Sequence, residues 1–432
     1  MRFNQLWFIL VFAGLTTLAG CDNLPDGYDD YAKDGYGNDT STGAGLLAGG
    51  EACVKHNDCE SGICKLKDLS FDDKDVADGT CVSTDLVQYV NASADYCKSG
   101  RKSDGQGTKE APYCEVLHGV GYGRYIHVKP GDYSYVPLDP KSQSSLLIVG
   151  PGRDAVAPAR IKGVSSLGLA SLWLDGVRLE KGFSSTAASC ERGATLGLVR
   201  SVITSNNIGV SAVDCGKLWI DQSLILKNIH GVQIVNTISS DVGTKPDAGI
   251  YHVTNNLFLD NTTRNLSLKQ ARTLQTMDSV FALNTIVAKD PLLGDSKGWA
   301  IWGTFGAGLL SANTLLIRDT VIMGVKTLKG APTVYCETEN GGSTSPLNCN
   351  LQGVILDLND KNDGMGSYNY SNDSLDRASF SLNSRKDFCI YPGDDAYVKA
   401  TKGTRYSALI DYFGKTRNAG MVDAGYCQMR AK

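Results

Sequence analysis

Short apolar runs with period-two alternation recur along residues 167–356, each broken by a small or polar residue and resumed at once. They read LWLDGVRL (172–179), LGLVRSVI (196–203), LWIDQSLIL (218–226), HVTNNLFL (252–259), ALNTIVA (282–288), LLIRDTVIM (315–323) and NLQGVIL (350–356). Alternation turns successive side chains to opposite faces of a strand, so each run predicts strand, corner, strand. The corner residues are Gly176, Ser201, Ser223, Asn256, Thr285, Thr320 and Gly353, spaced by 25, 22, 33, 29, 35 and 33 residues. The short intervals suit one coil of a parallel solenoid, and the longer ones suit coils carrying loops at 239–249, 290–311, 327–348 and 358–388. Stacking is then obligatory, because one coil cannot bury its own apolar side. The expected core columns are Leu174, Leu198, Ile220, Val253 and Ile317, and beside them Ile203, Ile225, Phe258, Val287 and Ile322.

The same phrase resembles the coils of right-handed parallel β-helix proteins of the pectin-lyase-like superfamily. Residues 104–133, DGQGTKEAPYCEVLHGVGYGRYIHVKPGDY, resemble the entry segment of that fold, with its turn, short capping helix and strand. Residues 411–426, DYFGKTRNAGMVDAGY, resemble its exit. The resemblance covers residues 95–428 and implies an all-β, right-handed parallel β-helix with capped ends. It implies little about function, since that architecture hosts lyases, hydrolases, adhesins and inert stalks.

Composition narrows the class. A net charge of −4 over 432 residues offers no basic footprint for nucleic acid. Thirteen cysteines point to an oxidising compartment. Residues 1–20 read as an export signal, with a basic start, an apolar run too short to span a bilayer, and a small-residue end. The ending Leu18-Ala19-Gly20-Cys21 resembles a bacterial lipobox, which implies lipidation of Cys21 and anchorage in the cell envelope. The outer membrane or cell surface is the expected location, and Asp22 keeps the inner membrane as the alternative. Residues 21–50, rich in Gly, Asp and Tyr, read as a flexible acidic tether.

Residues 51–94 hold Cys53, Cys59, Cys64 and Cys81 with few apolar residues, so crosslinks must replace a core. Four cysteines permit three pairings. The segment resembles the small Cys-rich modules of bacterial surface lipoproteins, which implies Cys53–Cys64 and Cys59–Cys81. A metal site built on these thiolates with His56 is not expected in an exported chain. Cys97 and Cys114 bracket a loop at the entry cap. Cys190 and Cys215 are separated by the interval between the corners Gly176 and Ser201, which predicts one column on adjacent coils and a disulfide. Cys336–Cys349 would pinch a polar loop, and Cys389–Cys427 would close the exit cap.

Candidate chemistry is sparse. Arg160-Ile161-Lys162 and Ile229-His230-Gly231 echo fragments of polygalacturonase motifs, but they stand in the wrong order and lack paired aspartates. Leu218-Trp219-Ile220-Asp221 resembles a pectate-lyase phrase, with Gln222 where that family has His. Leu172-Trp173-Leu174-Asp175 writes nearly the same tetrad two coils earlier, so the phrase reads as coil grammar. If a lyase or hydrolase site exists, its candidates are Asp175, Asp221, Lys217 and Arg200. No cofactor is expected, and calcium at the two aspartates is the alternative.

The aromatic signal is stronger. With Leu172/Leu174 and Leu218/Ile220 inward, Trp173 and Trp219 point outward two coils apart, ~10 Å along the axis. Such a shelf suits stacking against sugars unless a loop covers it. Trp299 and Trp302, in the 290–311 segment, are further ligand-binding candidates. The expectation is an exported, lipid-anchored β-helix that binds a polysaccharide or surface protein without catalysis. The alternatives are a polysaccharide lyase or glycoside hydrolase with a divergent site, and a structural envelope component.

Overall fold

The computed structural model describes residues 46–66, 76–101, 104–120, 124–139, 145–237 and 248–270, and then strand segments from Thr276–Ala282 to Leu375–Ala378. The export signal, Cys21, most of the tether, the Cys389–Cys427 pair and the exit segment lie outside the described residues, as does the pairing of Cys336 with Cys349.

Three parallel sheets run the length of the described stack, with ten, ten and eight strands. The chain visits them in turn, so each strand pairs with its counterpart one coil on. The first face runs from Val87–Val90 and Tyr125–Val128 through Ser171–Asp175, Thr195–Val199 and Lys217–Asp221 to Cys349–Gln352. The second runs from Gly131–Tyr133 to Leu375–Ala378, and the third from Val136–Leu138 to Val334–Thr338. The stack therefore begins at Val87, ahead of the expected boundary at residue 95.

The first core column is as the alternation predicts: Leu174, Leu198, Ile220 and Val253 are in register and fully buried, and Phe281 and Ile317 continue them. The second column holds Leu179, Ile203, Ile225 and Phe258, followed by Ile286, where Val287 was expected. Val287 is the partner of Leu259. A slip of one residue exchanges the two sides of a strand, and the corner moves with it from Thr285 to Asn284.

Corners owe their sharpness to left-handed backbone. Gly176, Arg200, Gln222 and Asn255 occupy successive rungs with φ of 68°, 47°, 50° and 55°. The next residue of each rung turns inward and bonds the rung before it. Ser223 Oγ accepts the Ser201 N–H at 3.2 Å, Asn256 Oδ1 accepts the Ser223 N–H at 2.9 Å, and Asn284 Oδ1 accepts the Asn256 N–H at 3.0 Å. A second ladder joins the second face to the third. Asn206, Asn228 and Asn261 Oδ1 accept the N–H groups of Lys181, Asn206 and Asn228 at 2.7, 3.0 and 3.0 Å. Buried corner N–H groups are thereby satisfied where no ladder strand reaches them.

Three of the expected loops contain strands of the stack. Trp299–Phe305 lies in 290–311, Val334–Thr338 in 327–348 and Leu375–Ala378 in 358–388, while Ala248–Thr254 begins inside 239–249. Among the described residues, four disulfides are present: Cys53–Cys64, Cys59–Cys81, Cys97–Cys114 and Cys190–Cys215. The last does not join one column, as expected from the 25-residue interval. Cys190 stands opposite Ala212, a coil of 22 residues, and Cys215 lies beyond the end of that strand at the following corner. Their Cα atoms are nevertheless 5.4 Å apart, within disulfide reach.

Candidate functional site

The outer side of the first face carries two parallel columns. One runs Val87, Tyr125, Leu147, Trp173, Gly197, Trp219 and His252; the other runs Tyr89, His127, Val149, Asp175, Val199, Asp221 and Thr254. The early rungs of both are apolar and would cost solubility if left in water. They are covered by the disulfide module. Ile63, Leu66, Val76 and Val82 pack with both crosslinks against Tyr125, Leu147, Val149, Trp173 and Val199 in one cluster separate from the solenoid core. Residues 46–50, expected in the tether, belong to this module: Leu47 N–H donates to Asp58 O, and Gly50 N–H to Cys81 O, both at 2.8 Å.

Trp173 does point away from the core, but it is only 1% exposed. The open two-indole shelf expected from the sequence is therefore absent, because the chain's own module occupies one half of it. The Trp173 indole lies over the next rung, where a Cβ on Gly197 would stand 2.0 Å from ring atom Cε3. Its Nε1 donates to Ser171 Oγ at 3.2 Å. Trp219 stays half-buried at the module's edge, 4.7 Å from the His252 ring. The Lys217 ammonium lies 5.5 and 5.4 Å from the Trp173 and Trp219 rings, a cation held by two indoles. Burial lowers its pKa. Trp299 and Trp302 belong to the third face, on a strand and not on a loop.

The acid and base candidates divide into two groups. Asp175 and Arg200 meet: Arg200 Nε donates to Asp175 Oδ1 at 2.8 Å, and Arg200 Nη2 donates to Oδ2. His56 of the module completes the cluster, with Nε2 2.7 Å from Asp175 Oδ2. A tight turn aims this ring, since Asp58 Oδ2 accepts the N–H groups of Val54 and Lys55 at 2.9 Å. His56 Nδ1 accepts the Cys64 N–H at 3.1 Å, which assigns the ring proton to Nε2 and makes it the donor to Asp175. All three side chains are buried. Burial alone would raise the Asp175 pKa, but the Arg200 guanidinium and His56 outweigh it and hold the carboxyl well below the usual range. His56, Asp175 and Arg200 themselves help line a small cleft, together with Asn57, Arg153 and Asp154. Its remaining cation is engaged too, for Arg153 Nε donates to Asp154 at 3.1 Å and Nη1 to Gln222 O at 2.6 Å.

Asp221 sits two rungs from Asp175 and makes its own bonds. It accepts from Thr254 Oγ1 at 2.7 Å, Asn255 Nδ2 at 3.0 Å and Gln222 Nε2 at 3.1 Å. These donors compete for the lone pairs that a calcium ion would use, and the Arg200 and His56 bonds do the same at Asp175. The sulfurs of Cys53, Cys59 and Cys81 lie close together but are tied up in disulfides, leaving no thiolate to bind a metal. His56 had no place in the sequence-based site, because its partner is 119 residues away.

No protein-family model, curated protein or solved structure matches this chain.

Proposed function

We propose that the chain is an exported, lipid-anchored bacterial envelope protein whose right-handed parallel β-helix binds a glycan or surface protein without catalysis. The observation that carries this reading is the fate of the strongest acid and base candidates. Asp175 bonds to both Arg200 and His56, so its charge is already engaged in holding the module to the stack. Trp219, Lys217 and His252, half-exposed at the module's edge, are the recognition surface this leaves on the first face. The right hand is supported by the steric preference of parallel crossover connections, and by the resemblance of the coils to pectin-lyase-like proteins. Export and anchorage are supported by the lipobox-like ending at Cys21 and by four disulfides.

A glycan array and a uronate-release assay on protein lacking residues 1–45 test the activity. Retention of defined glycans with no release of product is expected. Cleavage of polygalacturonate that disappears in Asp221→Ala would overturn the non-catalytic reading. For the anchor, incorporation of radiolabelled fatty acid into the full chain is expected, with loss in Cys21→Ser.

A further inference from the structure

The module is bound to the stack through three different features of one surface. An apolar cluster covers Trp173. A buried ion cluster joins His56 to Asp175 and Arg200. A second imidazole, the partly buried His127 on the first face, lies between the module and Tyr89. Gly62 of the module comes so near that a Cβ there would stand 2.9 Å from His127 Nε2. The Tyr89 ring meets the imidazole edge-on at 5.8 Å. His127 Nδ1 and the Tyr89 hydroxyl are sealed from solvent without a hydrogen-bond partner. An enclosed nitrogen without a partner has no acceptor for an added proton, so charging this ring while the module is seated is costly.

We propose that the disulfide module is an acid-opened lid on the first face, and that its release uncovers Trp173 and joins it to Trp219 as one continuous aromatic strip. What the strip then takes rests on the binding reading above; the opening itself does not. The groups that face His127 all favour opening in acid. His56 approaches from the module, Lys109 from the loop before the capping helix and Lys129 from just past the end of its own strand, while Tyr89 contributes no charge. Burial first, and these three neighbours after it, lower the His127 pKa to about 4. Once uncovered, the ring regains an ordinary value near ~6.5. Its folded pKa is thus depressed for a base: closure is fully favoured above ~6.5 and loses ground as the pH falls toward 4. That difference raises the opening constant by up to ~300-fold. Asp175 remains ionised across this window, so the ion cluster neither drives nor prevents the change.

Acrylamide quenching of tryptophan emission on the full chain, at pH 7.5 and pH 4, tests the lid. Far-UV circular dichroism run alongside reports the stack. One additional quenchable indole is expected at pH 4, and the increment should vanish in Trp173→Phe. His127→Gln should hold the lid shut at pH 4, and Asp175→Asn should open it at pH 7.5 by stranding Arg200 and His56. If acid unfolds the stack itself, Asp175→Asn at pH 7.5 decides the matter. Equal quenching of wild type at both pH values with the stack intact would overturn the proposal, as would acid opening unchanged in His127→Gln. Acid opening without any gain on a glycan array would leave the lid standing and remove the uncovered strip as the binding surface.

Discussion

Replacing Asn228 by alanine tests whether the asparagine ladder holds the coils together. The side chain is completely buried. Its Oδ1 accepts both the backbone N–H and the side-chain Nδ2 of Asn206 at 3.0 Å, and its Nδ2 donates to Ile203 O at 3.1 Å and to Asn261 Oδ1 at 3.0 Å. Truncation strands the Asn206 N–H outright and takes a donor from Ile203 O, both inside the stack. At about 1–3 kcal/mol for each buried group left without a partner, the loss comes to ~4 kcal/mol. Asn206→Ala is the control. The backbone N–H it deserts belongs to Lys181, which is exposed, so water replaces the bond and that part of the loss stays near ~1 kcal/mol. Urea unfolding followed by circular dichroism gives the two midpoints, and amide exchange at Asn206 localises the effect. Equal losses for the two variants, or a loss below ~1 kcal/mol for Asn228→Ala, would refute the reasoning.

Three further outcomes follow from particular contacts. Cys190→Ser with Cys215→Ser opens a crosslink spanning 25 residues, and the chain-entropy relation puts the cost near ~3.5 kcal/mol, measured as a lowered denaturation midpoint under non-reducing conditions. Gly197→Ala places a methyl inside the Trp173 ring; an overpacking loss of about 1–3 kcal/mol should accompany a red shift of tryptophan emission as the indole tips off its rung. Replacing both Asp175 and Arg200 by apolar residues should cost less than Asp175→Asn alone, whose stranded Arg200 and His56 put it at about 3–5 kcal/mol; a melting series with additive losses contradicts the buried cluster.

The fold was legible where one side of a strand is uniformly apolar. Leu174, Leu198, Ile220 and Val253 announced their column because each repeats an apolar residue two positions before it, Leu172, Leu196, Leu218 and Tyr251. Register failed at Val287, since Thr285-Ile286-Val287 offers two acceptable apolar residues and only the corner at Asn284 decides between them. The third-face strand Trp299–Phe305 passed for loop because the glycines around its aromatic residues read as loop composition. The site was legible in part. That Trp173 faces away from the core followed from its neighbours, but an outward indole reads the same whether solvent or a module lies over it. The covering contact joins residues 119 positions apart, and no local pattern carries that information. Asp175, Asp221, Lys217 and Arg200 were named together, and Asp175 meets Arg200 side chain to side chain because a left-handed corner at Arg200 swings its side chain back toward the preceding rung.

The polar ladders also set how the rod answers force. Tension along the axis loads the main-chain bonds of all three faces and the Ser and Asn bridges of a rung at once, so the middle of the stack resists stretching as a unit. Peeling from an end meets those bonds one after another, at far lower force. Mechanical failure of this molecule should therefore begin at its tips and travel inward coil by coil.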